Sequence, residues 1–492
     1  MIGEIKDITE EKTVELQYIM YVFHDTDKLN QIGEMVATRF KITQSKEDII
    51  ATGGIAMVGS LLNDNRGLAS VDKMTTDRIK KGWISNSGII KSVVGLFTLA
   101  RNDFADIELF RDELAFRLAL ELERVPSEET LRQRLDLIAK LNPRQTLLDY
   151  AMRDLLRKVE SFGTVKIGKH KLIPLDIDVA ALLNPGCKKE GIARTYHKID
   201  GYAPIFAYLG SEGYMLANEL RIGSQHSENG AVEFLRRCLE QVKALKIDLR
   251  KIVVRVDSGH DDRKFIKVLD EYGVKFIIKR NLRKEPRERY LELGKQYGAK
   301  QPSREGKNVW HYSWGNVHID NTDELFDAEE ESMRGTMTMV VAATERLTNA
   351  KTGEVFLFPE IEIDSWWTNI DCTEEECIAG YHDHGTSEQF HSELKTDMNI
   401  EKLPSGKFAT NALILNIAAL AFNCLRIMGQ RFLDKPQLLH REYKVARRRL
   451  RSVMQDLIYI ACKVVKHAGY IWLSFGRGNP HYRIFKDLYA RC

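Results

Sequence analysis

Apolar and polar positions change period along this chain. As far as about residue 160 the apolar residues recur at helical spacing. "LFTLARNDFADIELFRDELAFRLALELERV" is amphipathic and free of Pro and Gly, and predicts one long helix. "PSEETLRQRLDLIAKL" follows, with Pro126 and Ser127 marking a helix start. Its Ser-x-x-Thr-Leu turn before Arg-rich positions fits a DNA-binding helical unit or plain bundle core. The period then shortens to two. "HKLIPLDIDVA" alternates and carries β-branched residues, predicting a strand. "APIFAYLG" and "YMLANELRIG" predict two more strands, joined by a turn from Gly210 to Gly213. "AVEFLRRCLEQVKAL" predicts a helix, "KIVVRVD" a buried strand, "DRKFIKVLDEY" a helix that stops at Gly273, and "VKFIIK" a strand.

The order strand, strand, strand, helix, strand, helix, strand is that of a ribonuclease-H-like fold. Such a core is α/β: five strands in a mixed sheet, antiparallel first and then parallel through helical crossovers. From Arg304 to Trp367 three further strands are predicted, "VWHYSWGNVHI", "GTMTMVVAAT" and "GEVFLFPEIEI". They read as a β-rich insertion before the last helices. The expected layout is a helical N-terminal DNA-binding domain over 1–160, the first part of the core over 161–303, the insertion over 304–367, the rest of the core over 368–430, and a basic helical C-terminal region over 431–492.

Composition narrows the class. The chain has 492 residues, 43% hydrophobic and 29% charged, as expected of a soluble globular protein. The formal net charge is only +3, but the charge is unevenly spread. Residues 435–492 hold 13 Lys and Arg against 3 Asp and Glu, and residues 279–307 hold 10 against 4. Two basic stretches in a near-neutral chain suggest contacts with phosphate, or solvated faces. The 7 cysteines form no C-x-x-C pair, and Cys372 and Cys377 lack a common zinc spacing, so reduced thiols are expected. "MIGEIKDITEEK" has no signal-peptide pattern. "NALILNIAALAFNCLRIM" carries Asn411, Asn416 and Asn423, and reads as a buried helix rather than a membrane span. A cytoplasmic protein without a membrane partner is expected.

Three acidic positions carry the chemistry. Asp176 and Asp178 are two apart on the first core strand and share a face, with Leu175, Ile177 and Val179 on the other. An Asp inside an apolar strand is costly unless paired or metal-bound. Asp257 ends "KIVVRVD", where open α/β sheets place functional groups. In this fold the first and fourth strands are neighbours, so Asp178 and Asp257 are expected side by side. Close carboxylates repel, and a divalent cation such as Mg²⁺ relieves that. The third lies in "YHDHGTSEQFHSELK". Thr386 and Gln389 have capping-box spacing, which predicts a helix from Ser387 with Glu388 in its first turn and Lys395 two turns on. Tyr381 and His384 are then expected to fold back towards Glu388. A zinc site through His382, His384 and His391 matches no common spacing.

These segments together resemble the DDE transposases of bacterial insertion sequences, in the subgroup with a Tyr-x2-Arg-x3-Glu-x6-Lys signature. Tyr381, His384, Glu388 and Lys395 stand at its four positions, with His in place of Arg. "VRVDSGHDD" is similar to the family's second-Asp segment. "LDIDVA" is similar to its Asp-x-Thr, with Ala180 replacing Thr. That match selects Asp178, with Asp176 as the alternate first carboxylate. The resemblance covers roughly residues 120–480. It implies cut-and-paste transposition by a dimer on paired terminal inverted repeats and a double-stranded target DNA. Asp178, Asp257 and Glu388 would be catalytic and hold two Mg²⁺ ions, with Mn²⁺ as a substitute, for in-line attack on phosphate. Tyr381, His384 and Lys395 would bind DNA near the scissile bond. A flipped base would stack on an aromatic, with Trp310, Trp366 and Trp367 as candidates. Two other classes share these features: a degenerate transposase that binds its repeats without cutting, and a ribonuclease-H-like nuclease without strand transfer.

Overall fold

The computed structural model describes residues 42–74, 84–318, 336–439 and 442–492. Residues 1–41 and 75–83 of the expected N-terminal domain lie outside them. The chain divides into two compact units. In the smaller, Ile49–Ile50 pairs antiparallel with Cys462–His467, which neighbours Tyr470–Phe475 in a three-stranded sheet. The expectation of a purely helical C-terminal region is corrected here. Cys462–His467 and Tyr470–Phe475 alternate β-branched and aromatic residues around Ala468 and Gly469, both at positive φ, a turn that folds strands back on each other.

The larger unit is built on one sheet. β1 (His170–Val179) pairs antiparallel with β2 (Ile205–Leu209), which pairs antiparallel with β3 (Tyr214–Glu219). On its other edge β1 pairs parallel with β4 (Ile252–Val256), and β4 parallel with β5 (Lys275–Lys279). The order β3-β2-β1-β4-β5 is that of a ribonuclease-H-like core. Helices α7 (Ala231–Ala244) and α8 (Arg263–Glu271) make the two crossovers. The predicted insertion does not form a separate body. β6 (Ala299–Gln301), β7 (Lys307–His318), β8 (Thr336–Thr348) and β9 (Val355–Thr368) form a meander, and β9 pairs antiparallel with β5. With Val165–Ile167, which pairs antiparallel with the start of β1, the sheet has ten strands among the described residues. Trp366 and Trp367 at the end of β9 are buried where it joins β5.

The N-terminal helices are α1 (Ile55–Leu62), α2 (Arg66–Val71), α3 (Asn86–Thr98), α4 (Leu114–Ala119), α5 (Glu128–Ala139) and α6 (Asp149–Leu156). The single long helix expected from Leu96 onward is broken. Ala100 and Glu121 adopt positive φ, which no helix accommodates, and Phe104–Phe110 forms a 3₁₀ turn capped by Asp103. Ser127 caps α5 as predicted, accepting the Thr130 N–H. These helices share the main apolar core with the sheet.

α9 (Arg287–Tyr297) precedes the meander; α10 (Glu374–His382) and α11 (Thr386–Ser392) follow it, and the apolar helix α12 (Phe408–Leu433) then crosses that core. It is long and apolar enough to span a membrane, yet its apolar window is wholly buried inside the protein. Its asparagines explain its placement. Asn423 accepts the Met215 N–H at 2.9 Å and donates to the Met215 carbonyl at 2.8 Å, filling a register shift between β2 and β3. Asn416 bonds Asn218 and Asn142, and Asn411 bonds Tyr202 and the Ser405 carbonyl. Each buried amide is satisfied, so these polar residues fix the helix on the sheet instead of destabilising it.

Candidate active site

The register of β1 and β4 separates the two candidate aspartates. Asp176 stands opposite Arg255, both almost fully buried. The guanidinium donates to the two Asp176 oxygens at 2.7 and 2.8 Å, and its third arm bonds the Gly380 carbonyl. Burial pushes the Asp176 pKa up, but Arg255 and His384 more than offset it and hold it below its ordinary value. Both its oxygens are occupied by a buried cation, which is the structural fate of an Asp in an apolar strand.

Asp178 lies two residues further on the same face, one step beyond the last register pair, Ile177 and Val256. The same step on β4 leads to Asp257. Asp178 is 20% exposed and Asp257 50% exposed. Asp257 accepts the Gly259 N–H at 3.1 Å and a contact from His260 Nδ1 at 2.9 Å, both on Oδ1. It therefore caps the turn after β4 with one oxygen and presents the other. Asp178 Oδ1 accepts its neighbour's Val179 N–H at 2.7 Å, and Oδ2 faces His391 Nε2 at 3.2 Å and Ser387 Oγ at 3.5 Å. Burial raises the Asp178 pKa, and His391 with His384 brings it below its ordinary value. Glu388 is exposed on α11. A cleft beside it is lined by Gln389, Ser392, Glu393, Arg447 and Arg449.

The motif helix differs from its predicted form. Thr373, not Thr386, carries the capping box, with Glu376 as its partner. Thr386 is already helical and caps nothing; α10 passes through a 3₁₀ turn at Asp383–Gly385 directly into α11. Tyr381 therefore sits on α10 itself. Its ring packs on Trp366 at 5.8 Å and on His384 at 5.6 Å. Burial and the nearby Asp257 and Asp178 carboxylates push its phenol pKa up. Beyond α11 the helix widens to a π turn over Glu393–Asp397, so Lys395 is not two α-helical turns from Glu388. Burial pulls the Lys395 pKa down, opposed by Glu401 and Asp178.

His384, at the Arg position of the signature, turns inward. It is buried, with Nδ1 3.2 Å from Asp176 Oδ1 in a charge contact that lacks hydrogen-bond alignment. Burial works to lower its pKa, but Asp176 and Asp178 outweigh it and the net shift is upward. Trp366 and Trp367 are buried, and Trp367 donates its ring N–H to Asp261 at 3.1 Å. Neither offers a face for stacking. Trp310 is 9% exposed, with Lys295 and Lys300 over its ring.

Several residues at the site carried no sequence signal. Tyr196, between β1 and β2, packs its ring at a tilt against His197 and donates to the Val179 carbonyl at 3.3 Å. Its phenol is raised by burial, with Asp178, Asp257 and Glu388 all adding to the shift. Arg426 on α12 is fully buried and donates to Glu393 at 2.6 Å; Arg447 bonds the other Glu393 oxygen. Arg449 donates to both oxygens of Asp397 at 2.8 and 3.0 Å, and Arg448 pairs with Asp456. Arg447 and the half-exposed Arg449 thus anchor the π turn, and the buried Arg448 is held by Asp456. A count of charges along a sequence cannot tell an internal anchor from a phosphate contact.

Among the described residues no three His, Cys, Asp or Glu side chains are drawn together into a ready metal cage. Asp178, Asp257 and Glu388, on two strand ends and one helix, would supply hard oxygen donors, a set suited to Mg²⁺ or Mn²⁺. His382 is exposed while His384 and His391 face Asp176 and Asp178, so the three histidines do not converge as ligands.

A family model described as "Transposase DDE domain group 1" matches residues 47–492. The chain belongs to this family of DDE transposases, enzymes of DNA transposition that generally use divalent metal ions. None of the curated proteins compared with the chain matches it. Among solved structures it is similar to the piggyBac transposase synaptic complex with hairpin DNA, determined by cryo-EM. The identity is 13% and the TM-score 0.41, over 84% of this chain and 80% of that one.

Proposed function

We propose that this chain is an insertion-sequence transposase of the Tyr-x2-Arg-x3-Glu-x6-Lys subgroup that binds terminal inverted repeats, cleaves DNA there and joins it to a target. One observation carries the reading: Asp178 and Asp257 end two adjacent parallel strands, with Asp176 withdrawn into an ion pair, and Glu388 stands exposed on α11. These three carboxylates would hold two Mg²⁺ ions. When bound, such ions activate an attacking oxygen and stabilise the leaving one at phosphorus. The chain's own residues position the rest. Tyr381, with its protonated phenol, lies on α10 before Glu388, and Lys395 on the π turn after it; both would contact phosphate. The N-terminal helices would grip the repeat, and two copies would bridge paired ends in the bacterial cytoplasm, at the nucleoid.

The test begins with the DNA flanking the gene, searched for inverted repeats. Labelled end DNA is then incubated with the protein and Mg²⁺ under single-turnover conditions, followed by a strand-transfer assay. Cleavage with joining supports the reading. Binding without cleavage would make the chain a degenerate repeat-binding protein, and cleavage without joining a nuclease.

A further inference from the structure

His391 links the site to the core. It lies on α11, three residues beyond Glu388, and is 6% exposed. Nε2 is 3.2 Å from Asp178 Oδ2, and Nδ1 is 3.2 Å from the Tyr208 hydroxyl. The chemistry of these partners sets the proton positions. An ionised carboxylate only accepts, so Nε2 must carry a hydrogen. Nδ1 then faces the Tyr208 hydroxyl, which can donate to it. Burial raises the Tyr208 pKa strongly, so its hydroxyl keeps its proton. The ring is also gripped from the side. Phe206 lies at 5.2 Å and Tyr208 at 5.4 Å, and both come from β2, where they pair in register with Asp178 and Asp176.

We infer that His391 is a positioning residue: it donates to Asp178 Oδ2, with Tyr208 fixing its tautomer, and so orients the first carboxylate towards a divalent cation. This rests on Asp178 being a metal ligand, as proposed above. A carboxylate oxygen has two lone pairs. Oδ2 takes the contacts of His391 and Ser387, while Oδ1, which accepts the Val179 N–H, keeps its second lone pair for the metal, so the contact orients the ligand without occupying it. Outer hydrogen bonds of this kind are worth roughly 10–100-fold in metal affinity. A satisfied core histidine without that role would affect stability and leave metal affinity unchanged.

The measurement is Mn²⁺ binding to the full-length protein, read from the electron paramagnetic resonance signal of free Mn²⁺. Four variants are compared with wild type, and their folding is checked by circular dichroism. His391→Leu removes the donor and should weaken Mn²⁺ binding roughly 10–100-fold. His391→Gln carries an amide N–H near the position of Nε2 and should recover most of that loss. Tyr208→Phe removes one hydroxyl from the core and should give a smaller loss in the same direction. Asp178→Asn should lose the site. If folded His391→Leu binds Mn²⁺ like wild type while Asp178→Asn does not, the positioning role is overturned and the ligand assignment stands. If Asp178→Asn also binds like wild type, the ligand assignment itself falls. Should His391→Leu fail to fold, unchanged affinity in Tyr208→Phe overturns the relay.

Discussion

Asp176 and Arg255 face each other across the parallel pairing of β1 and β4, joined by two hydrogen bonds of 2.7 and 2.8 Å in a buried layer. This pair occupies both oxygens of Asp176, while its neighbour Asp178 stays partly exposed. Removing one partner leaves an uncompensated buried charge, at a cost of roughly 3–5 kcal/mol. Asp176→Ala should therefore lower the melting temperature sharply, whereas Asp178→Ala should melt near wild type and lose cleavage. Thermal melts of the two variants check this. A stable, inactive Asp176→Ala would reverse the assignment.

His384 gives a pH signature. Its pKa is raised in the folded protein, so its stabilisation is fully present below the unfolded value of about 6.5 and fades as pH rises through the folded value. The gap in melting temperature between wild type and His384→Gln should be largest near pH 6 and shrink by pH 9. A gap that stays constant would mean that His384 acts through packing alone.

The turn between β2 and β3 supports the motif helix. Gly213 has φ +72°, and a Cβ there would lie 2.3 Å from the Phe390 ring on α11. Gly213→Ala should cost roughly 1–2 kcal/mol in backbone strain and roughly 1–3 kcal/mol in overpacking. It should also displace Glu388, so cleavage should fall along with stability. Urea unfolding together with single-turnover cleavage measures both. An unaffected rate in a destabilised protein would uncouple the turn from the site.

The C-terminal arginines divide by burial. Arg447 and Arg448 are tied to Glu393 and Asp456, while Arg449 and Arg451 are 52% and 57% exposed. Arg448→Ala should lower stability and leave unchanged the slope of log DNA affinity against log salt. That slope reports phosphates neutralised at the surface. A flatter slope in Arg448→Ala would show that the side chain leaves its partner to meet DNA.

Much of this was legible in the sequence, because strand order is written in local periodicity. The alternation of "LDIDVA", the apolar run of "KIVVRV" and the glycine turn between β2 and β3 each correspond to an observed element. The end of β4 pointed to Asp257, while on β1 periodicity left Asp176 and Asp178 equivalent and only the family resemblance chose Asp178. What periodicity cannot carry is pairing across the fold. Nothing near Asp176 announces Arg255, 79 residues away, and nothing near His391 announces Tyr208, 183 residues away. The motif helix was misread for a related reason. Thr386 and Gln389 have capping-box spacing, but Thr373 with Glu376 starts a helix earlier and the chain runs on through Thr386. The meander after α9 was seen as strands, but its attachment to β5 depends on long-range hydrogen bonds that leave no local mark.

The central claim is that Asp178, Asp257 and Glu388 bind the metal that cleaves DNA. The most direct measurement replaces each with Cys and follows single-turnover cleavage of end DNA in Mg²⁺ and in Mn²⁺. A thiolate is a poor ligand for Mg²⁺ and a better one for Mn²⁺. The account predicts that Asp178→Cys, Asp257→Cys and Glu388→Cys are inactive in Mg²⁺ and regain part of their activity in Mn²⁺. Near wild-type cleavage in Mg²⁺ by any one of the three would contradict it.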